Sequence, residues 1–136
     1  MAGADHQSDA DPIVYIDRSE VHEGCLDELK EGIRALVTFV DAHQPQMTMY
    51  AIYLDERAHR MTVVSVHPDS ASLERHIELG APEFRKLGPY ITLREIEVFG
   101  QLSPRAADLV GEKAVALGDG GRVRFHAQFA GFGRLS

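Results

Sequence analysis

Arg60-Met61-Thr62-Val63-Val64-Ser65-Val66-His67-Pro68-Asp69-Ser70 is a β-branched run closed by a proline and followed by two helix-capping side chains. Proline disfavours helical backbone in the residue before it, and an Asp or Ser oxygen accepts from the free N–H groups of a helix's first turn. The stretch therefore reads as a strand leading directly into a helix. Before it, Asp55 to His59 is a polar connection of hairpin length, and Met47 to Leu54 is the partner strand. Further back, Leu26, Leu29, Ile33, Leu36, Val37 and Val40 fall on one stripe at helical spacing between Cys25 and His43, and Pro45 ends that helix. Ile13 to Asp17 reads as the first strand, and a turn at Gly24 joins it to the helix.

After the quoted stretch, the second helix is expected to run to Leu79 and break at Gly80-Ala81-Pro82, with Pro82 opening a short second piece through Phe84 and Leu87. Gly88-Pro89 ends that piece, and Ile91 to Phe99 is a fourth strand. The order β-α-β-β-α-β predicts an α+β, ferredoxin-like sandwich with an antiparallel sheet. An extension follows. Ser103-Pro104 is a capped helix start running to about Leu117, and Gly118 to Gly121 is a turn. Val123, Phe125, Ala127 and Phe129 alternate with Arg124, His126 and Gln128, which predicts a half-buried fifth strand. Residues 1–11 read as a flexible tail and 12–136 as a single domain, with a core over 12–100 and a helix–strand extension over 101–136. Met47, Met49 and Tyr53 face one side of their strand, and Tyr50, Ile52 and Leu54 the other. A sheet that is apolar on both faces needs a cover for the second, which predicts a homodimer. The extension either covers that face or lengthens the sheet and ties the dimer together, and the second is expected.

The 136 residues carry a formal charge of −7, which argues against nucleic acid and against an anionic membrane surface as partners. With 44% apolar and 26% charged residues the composition is globular, and no apolar run has the length of a membrane span. Cys25 is the single cysteine, so neither an intramolecular disulfide nor a cysteine-rich zinc site is available. The polar start of the chain lacks a signal-peptide pattern, and a cytoplasmic location is the expectation.

Val21-His22-Glu23-Gly24 leading into an amphipathic helix, the hairpin, and Thr62-Val63-Val64-Ser65-Val66-His67-Pro68-Asp69-Ser70 entering a helix that carries His76 together resemble the antibiotic-biosynthesis-monooxygenase-like group of dimeric α/β-barrel proteins. The resemblance spans about Ile13 to Phe99. His76 matches the family's helix histidine, and His67 stands where a tryptophan is common; the chain has no tryptophan. The resemblance implies paired sheets forming a barrel, and a small-molecule pocket in each subunit between sheet and helices. Some members oxygenate aromatic polyketides or quinols without metal or flavin, and others bind and degrade haem.

His76 shares the inner stripe of its helix with Leu73, Ile77 and Gly80. A buried imidazole serves as general base, metal ligand or haem ligand, or simply as a core histidine bonded to a backbone carbonyl. His67 shares a strand face with Met61, Val63 and Ser65, so it either reaches a ligand beside His76 or is a surface residue at a strand end. His76 and His67 are the candidate catalytic pair, and Tyr50, Ser65 and Met61 the candidate substrate contacts. A third metal ligand at telling spacing is not evident, so no metal is expected. Tyr15 and Tyr53 are further strand phenols, and Glu95 and Glu97 are paired carboxylates that suit acid–base work or an edge face. Cys25 sits at a helix start as a packing residue. Three functions follow: a cofactor-independent oxygenase of a small phenol or quinol-like substrate, a haem-binding or haem-degrading protein with His76 as axial ligand, and a non-enzymatic module that binds an apolar ligand or assembles.

Overall fold

The structure, a computed structural model, describes residues 11–118 and 121–134. Its elements are β1 (Ile13–Val21), α1 (Leu26–His43), β2 (Met49–Asp55), β3 (Arg60–His67), α2 (Ser70–Arg85), β4 (Ile91–Phe99), α3 (Pro104–Leu117) and β5 (Arg122–His126). They form one sheet in the order β2-β3-β1-β4-β5, antiparallel except for the parallel β4–β5 pair. The first four strands and α1 and α2 make the expected ferredoxin-like sandwich. Apart from Asp11, the expected N-terminal tail lies outside the described residues, as do Asp119 and Gly120 of the expected turn.

All three helices pack on one face of the sheet. One part of the core joins Leu73 and Ile77 of α2 and Leu109 and Val110 of α3 to Ile13, Ile96 and Val98. The other joins Leu29, Leu36 and Val40 of α1 to Met61, Val63, Phe84 and Ile91. Helix starts are capped where the sequence places the caps: Asp69 accepts from the Ser72 N–H, and Ser103 from the Ala106 N–H.

Three expectations on the elements are corrected. β1 does not end at Asp17 but runs to Val21, because alternation continues: Asp17, Ser19 and Val21 point inward while Arg18 and Glu20 point outward. α2 does not break at Gly80-Ala81-Pro82 but continues to Arg85 with Pro82 inside it. A proline in a helix interior costs about 3 kcal/mol, and here the continued turn brings Phe84 into the core. Gly80 makes this possible, since the Phe84 ring lies where an alanine methyl would sit. Gly80→Ala is therefore expected to destabilise by about 1–2 kcal/mol despite its better helix propensity, read from the urea midpoint. Lastly, β5 is short and largely exposed, with Phe125 and Phe129 facing solvent. The parallel register runs out where Phe99, the last residue of β4, meets His126, so residues from 127 onward have no strand to pair with.

The extension thus lengthens the sheet through β5 and adds α3 to the already covered face. The opposite face carries Val14, Ile16, Val64 and Val66, all half-buried, with Met49 and Tyr53 exposed. Glu95 and Glu97 also lie on that face, where Arg18 bonds both carboxylates at 2.6 and 2.7 Å and His126 lies 3.0 Å from Glu97. They form an ion-paired cluster remote from the covered face.

Candidate functional site

Two-residue spacing along β1 sets Tyr15, Asp17 and Ser19 in a row on the covered face, at positions the pattern otherwise fills with Ile13 and Val21. The Tyr15 hydroxyl donates to Asp17 Oδ2 at 2.6 Å. Lys113 of α3 reaches the same oxygen, Nζ to Oδ2 3.2 Å, with its side chain 8% exposed. The ammonium also sits 4.1 Å from the centre of the Phe84 ring and 4.8 Å from that of Tyr15. A buried charge is tolerated only when paired, and here a carboxylate and two aromatic faces surround it. Burial, and then the Asp17 charge, push the Tyr15 phenol well above its ordinary value, so it stays a donor. Burial and then Asp17 likewise raise Tyr50.

The register pairs Leu93 with Ser19 and Glu95 with Arg18, leaving Arg94 as a bulge in β4 directly beside this polar row. Asp17, Ser19, Tyr50 and Lys113 line a small cavity of about 20 Å³ whose walls include Met61, Phe84 and Leu87. That is room for a water molecule. Ser19 Oγ is buried and has no hydrogen-bond partner.

Neither histidine lines this cavity; His76 packs against two residues that do, Tyr50 and Phe84. His67 is fully buried, not at the surface as one reading had it. Its Nε2 lies 3.0 Å from Ser65 Oγ and its Nδ1 2.8 Å from Ser72 Oγ. Burial lowers it to about 4, with Asp69 opposing and Lys113 adding to the effect. His76 bonds through Nδ1 to Gln44 Oε1 at 2.9 Å, so its partner is a side chain and not a backbone carbonyl. Burial first, then Lys113 and His67, hold it well below the ordinary imidazole value, which keeps it neutral. Its Nε2 has no partner. The ring is enclosed by Tyr50, Phe84 and His67 at centroid distances of 5.1, 5.2 and 5.4 Å.

Of the sequence candidates, His67, His76 and Tyr50 come together, and Tyr50 and Met61 line the cavity. Ser65 is engaged with His67. Tyr53 points to the opposite face and is 56% exposed. Among the described residues no group of three or more His, Cys, Asp or Glu side chains converges to hold a metal. A haem on His76 Nε2 would require the Tyr50 and Phe84 rings to move. Asp17, Ser19 and Lys113 are not among the sequence candidates. The signal was present: two polar residues at core positions of a strand, and a lysine within the stripe formed by Ala106, Leu109, Val110 and Ala114.

A wider surface groove of about 550 Å³ lies between Pro12, Leu102, Phe125 and Gln128. Its ionisable side chains are Asp11 and His126, and none of its buried polar atoms lacks a partner. The small cavity is thus the better chemical site. Among the described residues no helix is long and apolar enough to cross a membrane.

No protein-family profile matches the chain, and no curated protein sequence matches it. Solved structures do. MupZ from Pseudomonas fluorescens superposes with a TM-score of 0.70 at 15% identity, over 90% of this chain and 94% of MupZ. SnoaB, a cofactor-independent oxygenase from Streptomyces nogalater, gives 0.57 at 18% identity over 69% of this chain and 96% of its own. A protein solved as an antibiotic biosynthesis monooxygenase gives 0.53 at 17% identity over 63% and 92%. At these identities the likeness is one of fold: the chain has the ferredoxin-like α+β fold of these solved structures.

Proposed function

We propose that this chain is a cofactor-independent monooxygenase of a small phenol or quinol-like substrate, working as a homodimer. The carrying observation is the apolar-walled cavity on this fold into which Asp17, Ser19, Tyr50 and Lys113 all face. Such chemistry asks little of a protein. A base removes a proton, the electron-rich anion reduces oxygen itself, and the pocket excludes water. The balance closes without a cofactor: one oxygen atom enters the ring carbon as a carbonyl, and the other leaves as water with that carbon's one hydrogen and the hydrogen of the substrate hydroxyl.

In this reading Phe84 and its neighbours swing outward to admit the ring. Tyr50 and Met61 contact it, and Ser65 acts through His67. The neutral His76 holds Tyr50 and offers its unpaired Nε2 to a substrate hydroxyl, with His67 as its packing partner. The uncovered sheet face, with Val14, Ile16, Val64, Val66 and Tyr53, is where a second copy pairs. Light scattering on the purified protein is expected to give the mass of two chains; a monomer overturns the dimer.

Activity is tested by oxygen uptake with dihydroxynaphthalene-type quinols. We expect acceleration over buffer, reduced at least tenfold in His76→Ala. No acceleration over buffer overturns the oxygenase reading, and acceleration that survives His76→Ala removes the histidine from it. Haem added to the purified chain separates the haem reading: a sharp Soret band lost in His76→Ala would favour it. Ligand binding without turnover would favour the non-enzymatic one.

A further inference from the structure

We infer that the extension helix α3 completes the site, with Lys113 and Ser19 binding a neutral hydroxyl ligand's oxygen and Asp17 accepting its proton. The inference rests on the oxygenase reading for the reaction, and for the binding on the cavity, which holds the ligand's hydroxyl once Phe84 has swung outward to admit its ring.

Lys113 comes from outside the βαββαβ core and is delivered through an apolar helix stripe to the inner face of β1. A buried ion pair is seldom the most stable way to fill a core, since apolar residues of similar volume do as well or better. The pair alone therefore explains little. Ser19 supplies the second observation. It is 3% exposed, it lines the same cavity, and its Oγ has no partner. A buried hydroxyl left unbonded costs stability unless a ligand or water completes it. Asp17 lies between these two groups, accepting from Tyr15 and paired to Lys113.

Charge balance selects the ligand. Asp17 and Lys113 sum to zero. A carboxylate ligand would place a second negative charge beside Asp17 in a desolvated space, whereas a neutral phenol or enol adds none. When the ligand's O–H bond breaks, the proton forms a new O–H bond on the Asp17 carboxylate, and the negative charge moves to the ligand oxygen. Lys113 then faces one anion in place of another, and the net charge of the cavity is unchanged. Transfer to neutral His76 would instead create a new pair of charges in the same medium. Asp17 is thus the better acceptor, and His76 orients.

The chain contains no tryptophan, so the fluorescence of 1-naphthol reports its binding cleanly. We expect 1-naphthol to bind more tightly than 1-naphthoate at neutral pH. Ser19→Ala should weaken naphthol about tenfold, the value of one lost hydrogen bond, with no loss of thermal stability. The Asp17→Asn/Lys113→Met double variant, which keeps the volume and removes both charges, should lower quinol-dependent oxygen uptake at least a hundredfold while circular dichroism stays unchanged. Naphthol binding that ignores Ser19→Ala, tighter naphthoate, or a double variant with wild-type uptake overturns the inference and leaves the oxygenase reading standing. Naphthol binding that depends on Ser19, with no oxygen uptake by the wild type, overturns the oxygenase reading and keeps the binding site. A chain that does not bind naphthol overturns the inference.

Discussion

Lys113→Met on its own is expected to lower folding stability by about 3–5 kcal/mol, and the Asp17→Asn/Lys113→Met double variant by much less. The asymmetry follows from what each change leaves behind. Methionine fills the space of the lysine stem and keeps packing against Phe84 and Tyr15. It also strands the Asp17 carboxylate, whose side chain is 4% exposed, with the Tyr15 hydroxyl as its remaining donor. An ionised group in that position loses hydration without compensation. Asparagine in the double variant is neutral and still accepts from Tyr15, so the buried charge is gone. Urea unfolding of wild type, both single variants and the double variant gives the cycle. A coupling of about 2 kcal/mol or more is the expected result. A double-variant loss equal to the sum of the two single losses would show that Asp17 and Lys113 do not depend on one another. This argument concerns the fold and not the reaction, so it holds for an ion pair of either purpose.

Most of the fold could be read from the sequence because each element announces itself locally. The stripe from Leu26 to Val40, the hairpin around Asp55 to His59 and the caps at Asp69 and Ser103 need no tertiary information, and all stand where expected. Pro82 misled because local propensity says break, while the burial of Phe84 over Gly80, a non-local term, carries the helix past it. β5 misled for the opposite reason: alternation continues through Phe129, but pairing stops because β4 stops at Phe99. The site divides in the same way. His67, His76 and Tyr50 were visible as polar or aromatic side chains at inward positions. Asp17 reads locally as the end of a strand, and only the register against β3 and β4 shows it in the middle of β1. Lys113 is 96 residues further along the chain, on a helix whose packing partner is not written in its own sequence. That the two meet is a statement about topology, and periodicity carries none.

Stability is also expected to fall steeply on mild acidification, and His67 sets the window. The unfolded chain's imidazole takes a proton near pH 6.5, while in the folded protein burial delays this to about 4. Between those values the unfolded state binds more protons, so stability is complete above about pH 6.5 and is lost as the pH drops towards 4. The gap from 6.5 to about 4 corresponds to roughly 3 kcal/mol. His76 acts in the same direction, because burial holds it lower still, and its loss continues further into acid. Glu20 and Glu97, whose bonds to Arg94 and Arg18 lower them, are also destabilising when protonated, but they titrate below 4.5 and leave the upper part of the window to the histidines. Urea midpoints measured from pH 7 to pH 4.5 should therefore decline throughout, and His67→Gln should flatten the decline without removing it, since His76 remains. Nitrogen shifts of the two imidazoles should report neutral rings at pH 5. A wild-type stability that does not change between pH 7 and pH 5 would mean that both rings reach solvent, and with it the closed cluster of His67, His76, Tyr50 and Phe84 would have to be abandoned.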